Sequence, residues 1–401
     1  MKSFDLLIVG AGPAGSFAAE LLAKNGARVA LFDGRPEGEP KACGGGVTAK
    51  ALKAWPQLLN AVGRTVHELE LYSPSGKRLH LDLEEPFAIY SRVAFDSYLR
   101  DRARDAGAKV YSEKISARKA RRTESGWSLS GETKLTTSLL VGADGANSPI
   151  AKMLAGPLPP SDMEVAFGYR TPLPVNGEAP TVVAFLPRWI GYAWAFPRLD
   201  HISFGIATIQ DAFEHQPLDD LLWRFMIGYY QQREGTDVKF WTVDDPDAEA
   251  VQRIRGQLQA TAERYAARIP GLTEKTWDTR HVCGEGWALL GDAAGFADPV
   301  TGEGIYYALR SAQLFAECYL AGKPLSYEQR WREDFGAELR QAAHIRRRFY
   351  GNFWGAPFTE RMIEFARGHR GVKRVLGDLV AGEQGYVDLK KKLVRSALRP
   401  L

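Results

Sequence analysis

Gly10-Ala11-Gly12-Pro13-Ala14-Gly15 follows directly on the run Phe4-Asp5-Leu6-Leu7-Ile8-Val9. No other stretch restricts the possible folds of this chain as much. A largely apolar run of this kind reads as a strand buried on both faces, as in a parallel sheet. The glycines allow a tight turn and let a phosphate-bearing ligand approach the backbone. A helix from about Ala14 to Lys24 would aim its N-terminal amides and the positive end of its dipole at that phosphate. A second apolar run, Val29-Ala30-Leu31-Phe32, ends at Asp33-Gly34, 23 residues after Gly10. An acid there accepts a hydrogen bond from an adenosine ribose and repels a 2′-phosphate. The expected ligand is FAD or NAD rather than NADP, held by Gly10, Gly12, Pro13, Ala14, Gly15, Asp33 and Gly34. The alternative is a plain glycine-rich turn, but strand, helix and spaced acid all agree with the dinucleotide reading.

The 401 residues are enough for two or three domains, and 45% hydrophobic with 25% charged residues is ordinary for a chain with a large core. No apolar run is long enough to span a bilayer. Lys2, Asp5 and Gly10 interrupt the N-terminal apolar stretch, so no signal peptide is expected. Cys43, Cys283 and Cys318 are too widely spaced to suggest a disulfide framework or a zinc site, which points to a reducing cytoplasm. The net charge of +4 is uneven: residues 341–401 hold 13 Lys and Arg against five Asp and Glu. Arg346-Arg347-Arg348 and Lys390-Lys391-Lys392 are its clusters. They read either as solvated helix faces or as a surface for anionic headgroups or a diphosphate, with peripheral membrane contact at the inner face. No base-reading motif argues for nucleic acid.

Periodicity orders the rest. A glycine-rich loop, 34–46, leads to a helix from about Thr48. Residues 68–72 and 79–83 alternate as strands around Ser73-Pro74-Ser75-Gly76. Arg92 to Ala106 reads as a helix, with strands near 109–118, 127–130 and 139–142. Between about 160 and 245 aromatic residues and prolines rise. Residues 181–186, 191–196 and 202–207 read as antiparallel strands, the last two joined by the turn 197–201. Trp287 to Asp292 returns to a buried strand, followed by a helix from about Gly302 to Ala321. The expected fold is α/β. A discontinuous Rossmann-like domain takes residues 1–70, 92–155 and 278–322. A β-rich substrate domain with a mixed or antiparallel sheet takes 71–91 and 156–277. A basic helical C-terminal region takes 323–401.

Four further segments carry chemistry. At Asp144-Gly145 a strand ends in an acid and a chain reversal that can approach the phosphate-bearing ligand again. In Gly291-Asp292, the acid at a strand end is placed for a sugar-alcohol hydroxyl such as that of a ribityl chain. The loop after it lets the backbone pass a planar ring. A helix opening at Gly302, with Gly304 and Ile305 in its first turn, would favour an anionic reduced flavin. Cys43 heads the glycines Gly44, Gly45 and Gly46, which make the backbone hug a ligand. A thiol of ordinary pKa, about 8.5, is available as an acid near neutrality. Cys43 could donate a proton, touch a flavin, react with substrate, or simply be a small residue in a tight loop. Cys283 and Cys318 read as packing residues. Tyr192, Trp194 and Phe196 share one strand face at period two and alternate with Ala193 and Ala195. That face lines an apolar cavity or packs a core.

The three glycine- and aspartate-bearing motifs, in this order, resemble the FAD-dependent oxidoreductases of the p-hydroxybenzoate hydroxylase fold over roughly residues 4–320. The resemblance implies pyrophosphate at Gly10, Gly12 and Gly15, adenosine ribose at Asp33 and ribityl at Asp292. It also implies that Arg92 lies near the pyrophosphate or ribityl; otherwise Arg92 is a solvated helix-start arginine. The Cys43-Gly44-Gly45 loop and the Tyr192-Ala193-Trp194-Ala195-Phe196-Pro197 strand are similar to the geranylgeranyl reductase branch. The segment 386–390 carries a weaker likeness. This branch implies hydride transfer from reduced FAD to a carbon–carbon double bond of a prenylated substrate. The same fold hosts monooxygenases of aromatic or polycyclic compounds, and a non-catalytic electron-relay flavoprotein is a third reading. No second fingerprint marks a nicotinamide site, so NAD(P)H over the flavin and a ferredoxin-type redox partner both stay open as electron donor.

Overall fold

The computed structural model describes residues 2–132, 134–174, 179–187, 189–209, 218–233, 240–241, 247–353 and 356–397. It divides into two compact units, each assembled from three pieces of chain. The first comprises Met1–Lys41, Arg92–Met163 and Arg268–His344, and the second Ala42–Ser91, Glu164–Ala267 and Ile345–Leu401.

In the first unit, Leu6, Leu7 and Ile8 are fully buried and all four residues of the strand Val29–Phe32 are buried. Such runs, apolar on both faces, belong in the middle of a covered parallel sheet. The sheet order is Cys283–Gly284, Trp287–Leu289, Lys134–Gly142, Lys2–Val9, Val29–Phe32, Lys109–Tyr111. Lys2–Val9 pairs in parallel with Val29–Phe32 on one side and Lys134–Gly142 on the other. The chain thus leaves the central strand in one direction and later returns on its other side. This is the switch point at whose strand ends open α/β sheets bind ligands. The helix Pro13–Lys24 packs against Arg92–Asp105 and Ile305–Leu320. An antiparallel hairpin, Ala120–Thr123 with Gly126–Ser130, extends the sheet beside Lys134–Gly142.

In the second unit the sheet order is Glu263–Pro270, Met163–Pro172, His201–Ile209, Gly191–Pro197, Val182–Phe185, Gly63–Tyr72, Arg78–Tyr90, Gly46–Val47. Val182–Phe185 meets Gly63–Tyr72 in parallel, while the hairpins on either side of that junction are antiparallel. Ala193 and Ala195 face a core with Phe204, Phe225, Met226, Tyr229 and Val251, which the helices Leu218–Arg233 and Glu249–Thr261 help build. Small alanines let those helices lie close to the sheet. The alternating residues Tyr192, Trp194 and Phe196 therefore face the other way.

Several boundaries differ from the sequence expectation. Residues 156–163 and 268–277, expected with the substrate domain, lie in the first unit. Residues 42–70, expected with the dinucleotide domain, lie in the second unit, because Gly63–Tyr72 is a central strand of its sheet. The expected separate region 323–401 divides after His344. Its residues 354–355 and 398–401 lie outside the described residues. Among the described residues no helix is long and apolar enough to cross a membrane.

Candidate functional site

The first unit builds a phosphate cradle from backbone. Gly10 takes φ +107°, and a Cβ there would stand 2.3 Å from the Ala143 carbonyl oxygen and 2.7 Å from Asp144 Cα. A Cβ on Gly15 would stand 1.9 Å from the Gly10 oxygen. Those two glycines close the turn between the two central parallel strands. Gly12 differs, since a Cβ there meets nothing within 4 Å. Gly12 is also the N-cap of the Pro13–Lys24 helix and makes no side-chain cap. Its first-turn amides are left for a ligand, and Pro13 lacks one at the position where none is needed. The cradle fits a pyrophosphate.

Charge surrounds that turn. Gly10 N–H donates to the Phe32 carbonyl at 2.9 Å, so Asp33 stands beside it. One Asp33 oxygen accepts from the Arg35 amide at 3.2 Å and the other from Arg100 at 2.8 Å. Each keeps a lone pair for a ribose hydroxyl. A Cβ on Gly34 would stand 3.0 Å from Lys114 Cα, so that residue is a close approach of two backbones. Arg92 is not solvated. It is buried and grips Asp96 with two bonds, at 2.9 and 3.0 Å. Asp96 also accepts from Arg35 at 2.9 Å. Burial pushes the Asp96 carboxyl up, but Arg92, Lys41 and Arg35 together bring it below the usual carboxylate value. Asp96 thus holds two arginines in place and leaves an excess of positive charge near a site suited to a dianion. Sequence reasoning missed Arg35, Asp96 and Arg100. The signal was there: 92, 96 and 100 recur at helical spacing on one face.

The two later aspartates separate in role. Asp144 accepts from the Ser148 hydroxyl and, at 3.5 Å, from the Ile150 amide. Its carboxylate closes the start of the helix Pro149–Ala155, and burial raises its pKa. What this segment gives the cradle is backbone, with Gly145 at φ +86° making the reversal. Asp292 lies in a short turn, Gly291–Ala293, and its Oδ1 stands 3.1 Å from where a Gly304 Cβ would be. Gly291 packs on Ala14 and Ala308 and donates to Ser311 Oγ at 3.1 Å. The helix begins at Ile305 with Gly304 as its cap, three residues later than expected from sequence. Asp298 is the reason. It ties off the preceding loop by accepting from the Val300 and Thr301 amides and, through its carbonyl, from Gly302. Gly302, at φ +69°, is a turn residue, and the positive helix end lies at Gly304–Ile305 beside Asp292.

The second unit brings together two motifs far apart in sequence. Cys43 is half-buried, and its sulfur accepts from the Gly45 amide at 3.3 Å. Gly45 takes φ +82°, and a Cβ there would stand 2.3 Å from the Tyr90 oxygen. Tyr90 N–H returns a bond to the Gly45 oxygen at 2.9 Å. A Cβ on Gly44 would stand 3.2 Å from the Phe196 ring and 3.3 Å from the Trp194 indole nitrogen, and one on Gly46 3.5 Å from Phe196. The glycine loop therefore lies on the aromatic strand because no side chain intervenes. Tyr192, Trp194 and Phe196 follow one another with ring centroids 5.8 and 6.3 Å apart. Trp194 covers Gly205 on the next strand. It is 5% exposed, yet its indole N–H has no hydrogen-bond partner. A buried unpaired donor beside a glycine loop is suited to a ligand's acceptor. Arg198, which sequence reasoning passed over, is buried at the turn after this strand and donates to the carbonyls of Cys43 at 2.7 Å and Gly44 at 3.1 Å.

The basic tail is not uniformly solvated. Arg346 is buried and pairs with Glu164 at 3.0 Å, while Arg347, Arg348 and Lys390 to Lys392 are exposed. Cys283 is held against Leu325 and Glu328, and burial pushes its thiol up to about 12, as suits a packing residue.

A sequence profile for the FAD binding domain matches residues 3–317. The chain is 27% identical to the geranylgeranyl diphosphate reductase of Synechocystis over 381 residues, covering 86% of this chain and 84% of that one. It is 26% identical to the digeranylgeranylglycerophospholipid reductase of Methanosarcina acetivorans, with 86% and 84% covered. A crystal structure of a geranylgeranyl bacteriochlorophyll reductase-like protein from Thermoplasma acidophilum superposes with a TM-score of 0.73 at 21% identity, over 99% of this chain and 100% of that one. A flavin-dependent brominase superposes with a TM-score of 0.65 at 17% identity, over 99% of both chains.

Proposed function

From the premise that this chain belongs to the FAD binding domain family, as an FAD-dependent oxidoreductase of the geranylgeranyl reductase type, we propose that it saturates carbon–carbon double bonds of a prenylated lipid. One observation carries the reading. The Cys43-Gly44-Gly45 loop lies on the Tyr192-Trp194-Phe196 face, so a proton donor and an apolar wall occur together in one unit.

Gly10, Gly12 and Gly15 with the Pro13–Lys24 helix hold the FAD pyrophosphate, Asp33 the adenosine ribose, and Asp292 the ribityl chain. Arg92 and Arg35, fixed by Asp96, balance the phosphate charge. Reduced FAD, when bound, supplies the hydride that goes to one alkene carbon. Cys43 Sγ would give the proton that goes to the other carbon and regain one from solvent, so that two hydrogens add across the double bond. An unactivated alkene offers no carbonyl to polarise, so positioning and exclusion of water are what the protein contributes. Tyr192, Trp194 and Phe196 supply the dry surface for the chain, and the Trp194 N–H meets an acceptor on the substrate. The electrons for bound FAD would come from NAD(P)H or a ferredoxin-type carrier. The exposed lysines and arginines of the C-terminal segment fit a cytoplasmic protein that visits an anionic membrane face.

The test is single turnover of the FAD-loaded protein, reduced with dithionite under argon and given geranylgeranyl diphosphate. Mass spectrometry should find two hydrogens gained per double bond, both of them deuterium when the buffer is D2O, because dithionite supplies only electrons and the flavin N5 hydrogen and the thiol proton both come from solvent. The Cys43→Ser variant should keep FAD and lose about 100-fold in rate, the lower end for a general acid. A hydroxylated product formed only with oxygen, and no saturated one, would establish a monooxygenase instead. Unchanged turnover of the variant would remove Cys43 from the chemistry.

A further inference from the structure

Arg198 is 5% exposed, and its guanidinium meets backbone carbonyls. One of its nitrogens donates to two successive carbonyls, those of Cys43 and Gly44. Two carbonyls turned the same way onto one cation define the path of the backbone between them. The glycine that follows completes the arrangement. A Cβ on Gly45 would stand 2.9 Å from that same Arg198 nitrogen, so the guanidinium occupies space that only a glycine leaves open. The sulfur is fixed in turn by the Gly45 amide. Arg198 is itself held by the turn after the aromatic strand, where its N–H donates to the His201 carbonyl at 2.7 Å. A chain of contacts therefore runs from the Tyr192–Phe196 strand through Arg198 to the loop and ends on Cys43 Sγ.

We infer that Arg198 is a positioning residue that locks the Cys43 thiol at a fixed place over the aromatic face. The inference rests on the reading of Cys43 as proton donor, and it adds the device that aims the donor. A thiol at the tip of a loop of three glycines has no rigidity of its own, because glycine gives the backbone the most freedom to lose. Proton delivery to one alkene carbon needs the donor within hydrogen-bond reach, and a displacement of about 1 Å costs on the order of 100-fold in rate. A lysine brings a single ammonium on a flexible stem and no planar guanidinium to fill the space beside Gly45.

The experiment compares Arg198→Gln and Arg198→Lys with the unchanged FAD-loaded protein. Two readouts are taken: amide hydrogen exchange of the peptide spanning residues 42–48, and kcat and KM for geranylgeranyl diphosphate with dithionite-reduced enzyme. Arg198→Gln is expected to keep FAD, to lose exchange protection in that peptide alone, and to lower kcat by at least about tenfold with KM nearly unchanged. Arg198→Lys should recover part of both. Wild-type exchange in the glutamine variant overturns the inference whatever the activity does. A rise in KM with unchanged exchange overturns it too, since Arg198 would then be meeting substrate charge directly. If Cys43→Ser turns over normally, the proton-donor reading fails by itself, and the exchange data alone still decide whether Arg198 sets the loop.

Discussion

Glycines that look alike in the sequence have different reasons to be glycine. Gly10 and Gly15 are excluded from carrying side chains by the protein's own backbone, but Gly12 opens onto free space. That space is where a pyrophosphate would come against the first-turn amides. Gly12→Ala should therefore fold nearly as well as the parent, losing about 1 kcal/mol or less at the helix cap. Its FAD affinity should drop by at least about tenfold, equivalent to roughly 1.4 kcal/mol. Thermal melts of the FAD-free protein and fluorescence titration with FAD separate the two effects, and an affinity equal to the parent's would place the pyrophosphate elsewhere. The fingerprint was legible because it specifies local backbone. Residues defined by a distant partner were not. Arg198 reads as a turn residue until the carbonyls of Cys43 and Gly44 are placed beside it, and the tie from Asp144 to the Ser148 hydroxyl is equally invisible in the sequence.

The helix Arg92–Asp105 shows what an element adds beyond its residues. Its burial was readable from apolar spacing, and its function was not, because the face turned to the cradle is charged. Arg92, Asp96 and Arg100 follow one another at four-residue steps and reach both the Arg35 side chain and Asp33. Asp96 is 2% exposed, so replacing its charge strands two arginines. Asp96→Asn should cost about 3 kcal/mol at pH 7, the lower end for breaking a buried ion pair. The deficit should depend on pH in a defined direction. The folded Asp96 carboxyl titrates below its usual value. Its contribution is complete above the ordinary carboxylate pKa of about 3.9 and is lost as pH falls through the lower folded value. Asparagine has no such titration. Urea unfolding of the FAD-free proteins should therefore show a gap at pH 7 that narrows near pH 3, and a gap of constant size would assign the loss to something other than charge. The helix Ile305–Leu320 repeats the lesson. Its existence followed from periodicity, but its first turn did not, because Asp298 closes the Gly302 loop before the helix begins.

At the scale of the whole chain, the α/β class and the return of the sheet near residue 287 were readable, because buried parallel strands announce themselves as apolar runs. The allocation of the last sixty residues was not, because amphipathic helices show which face is buried but not against what. Charge made 323–401 look like an appended basic region, yet from Ile345 onward it belongs to the second unit. Glu360 makes the point testable. It lies in the helix Phe358–Gly368, is 7% exposed, and accepts from the Ser75 amide at 2.9 Å and the Ser75 hydroxyl at 2.7 Å. Lys77 stands 3.3 Å away. The turn it grips joins the strands Gly63–Tyr72 and Arg78–Tyr90, so a contact 285 residues away in sequence stabilises the hairpin. Burial pushes the Glu360 carboxyl up, but the bonds from Ser75, Ser73 and Lys77 bring it below its usual value, which means the charged form is the one held. Glu360→Ala leaves the Ser75 amide unpaired and should cost about 1–3 kcal/mol. For a unit of this size that is a fall of roughly 3–10 °C in Tm. Gly12 and Asp33 lie in the other unit, so FAD affinity at room temperature should stay at the parent value. An unshifted melting curve would return the C-terminal helices to the status of a solvated appendage, and a loss of FAD in step with stability would show that the two units do not unfold separately.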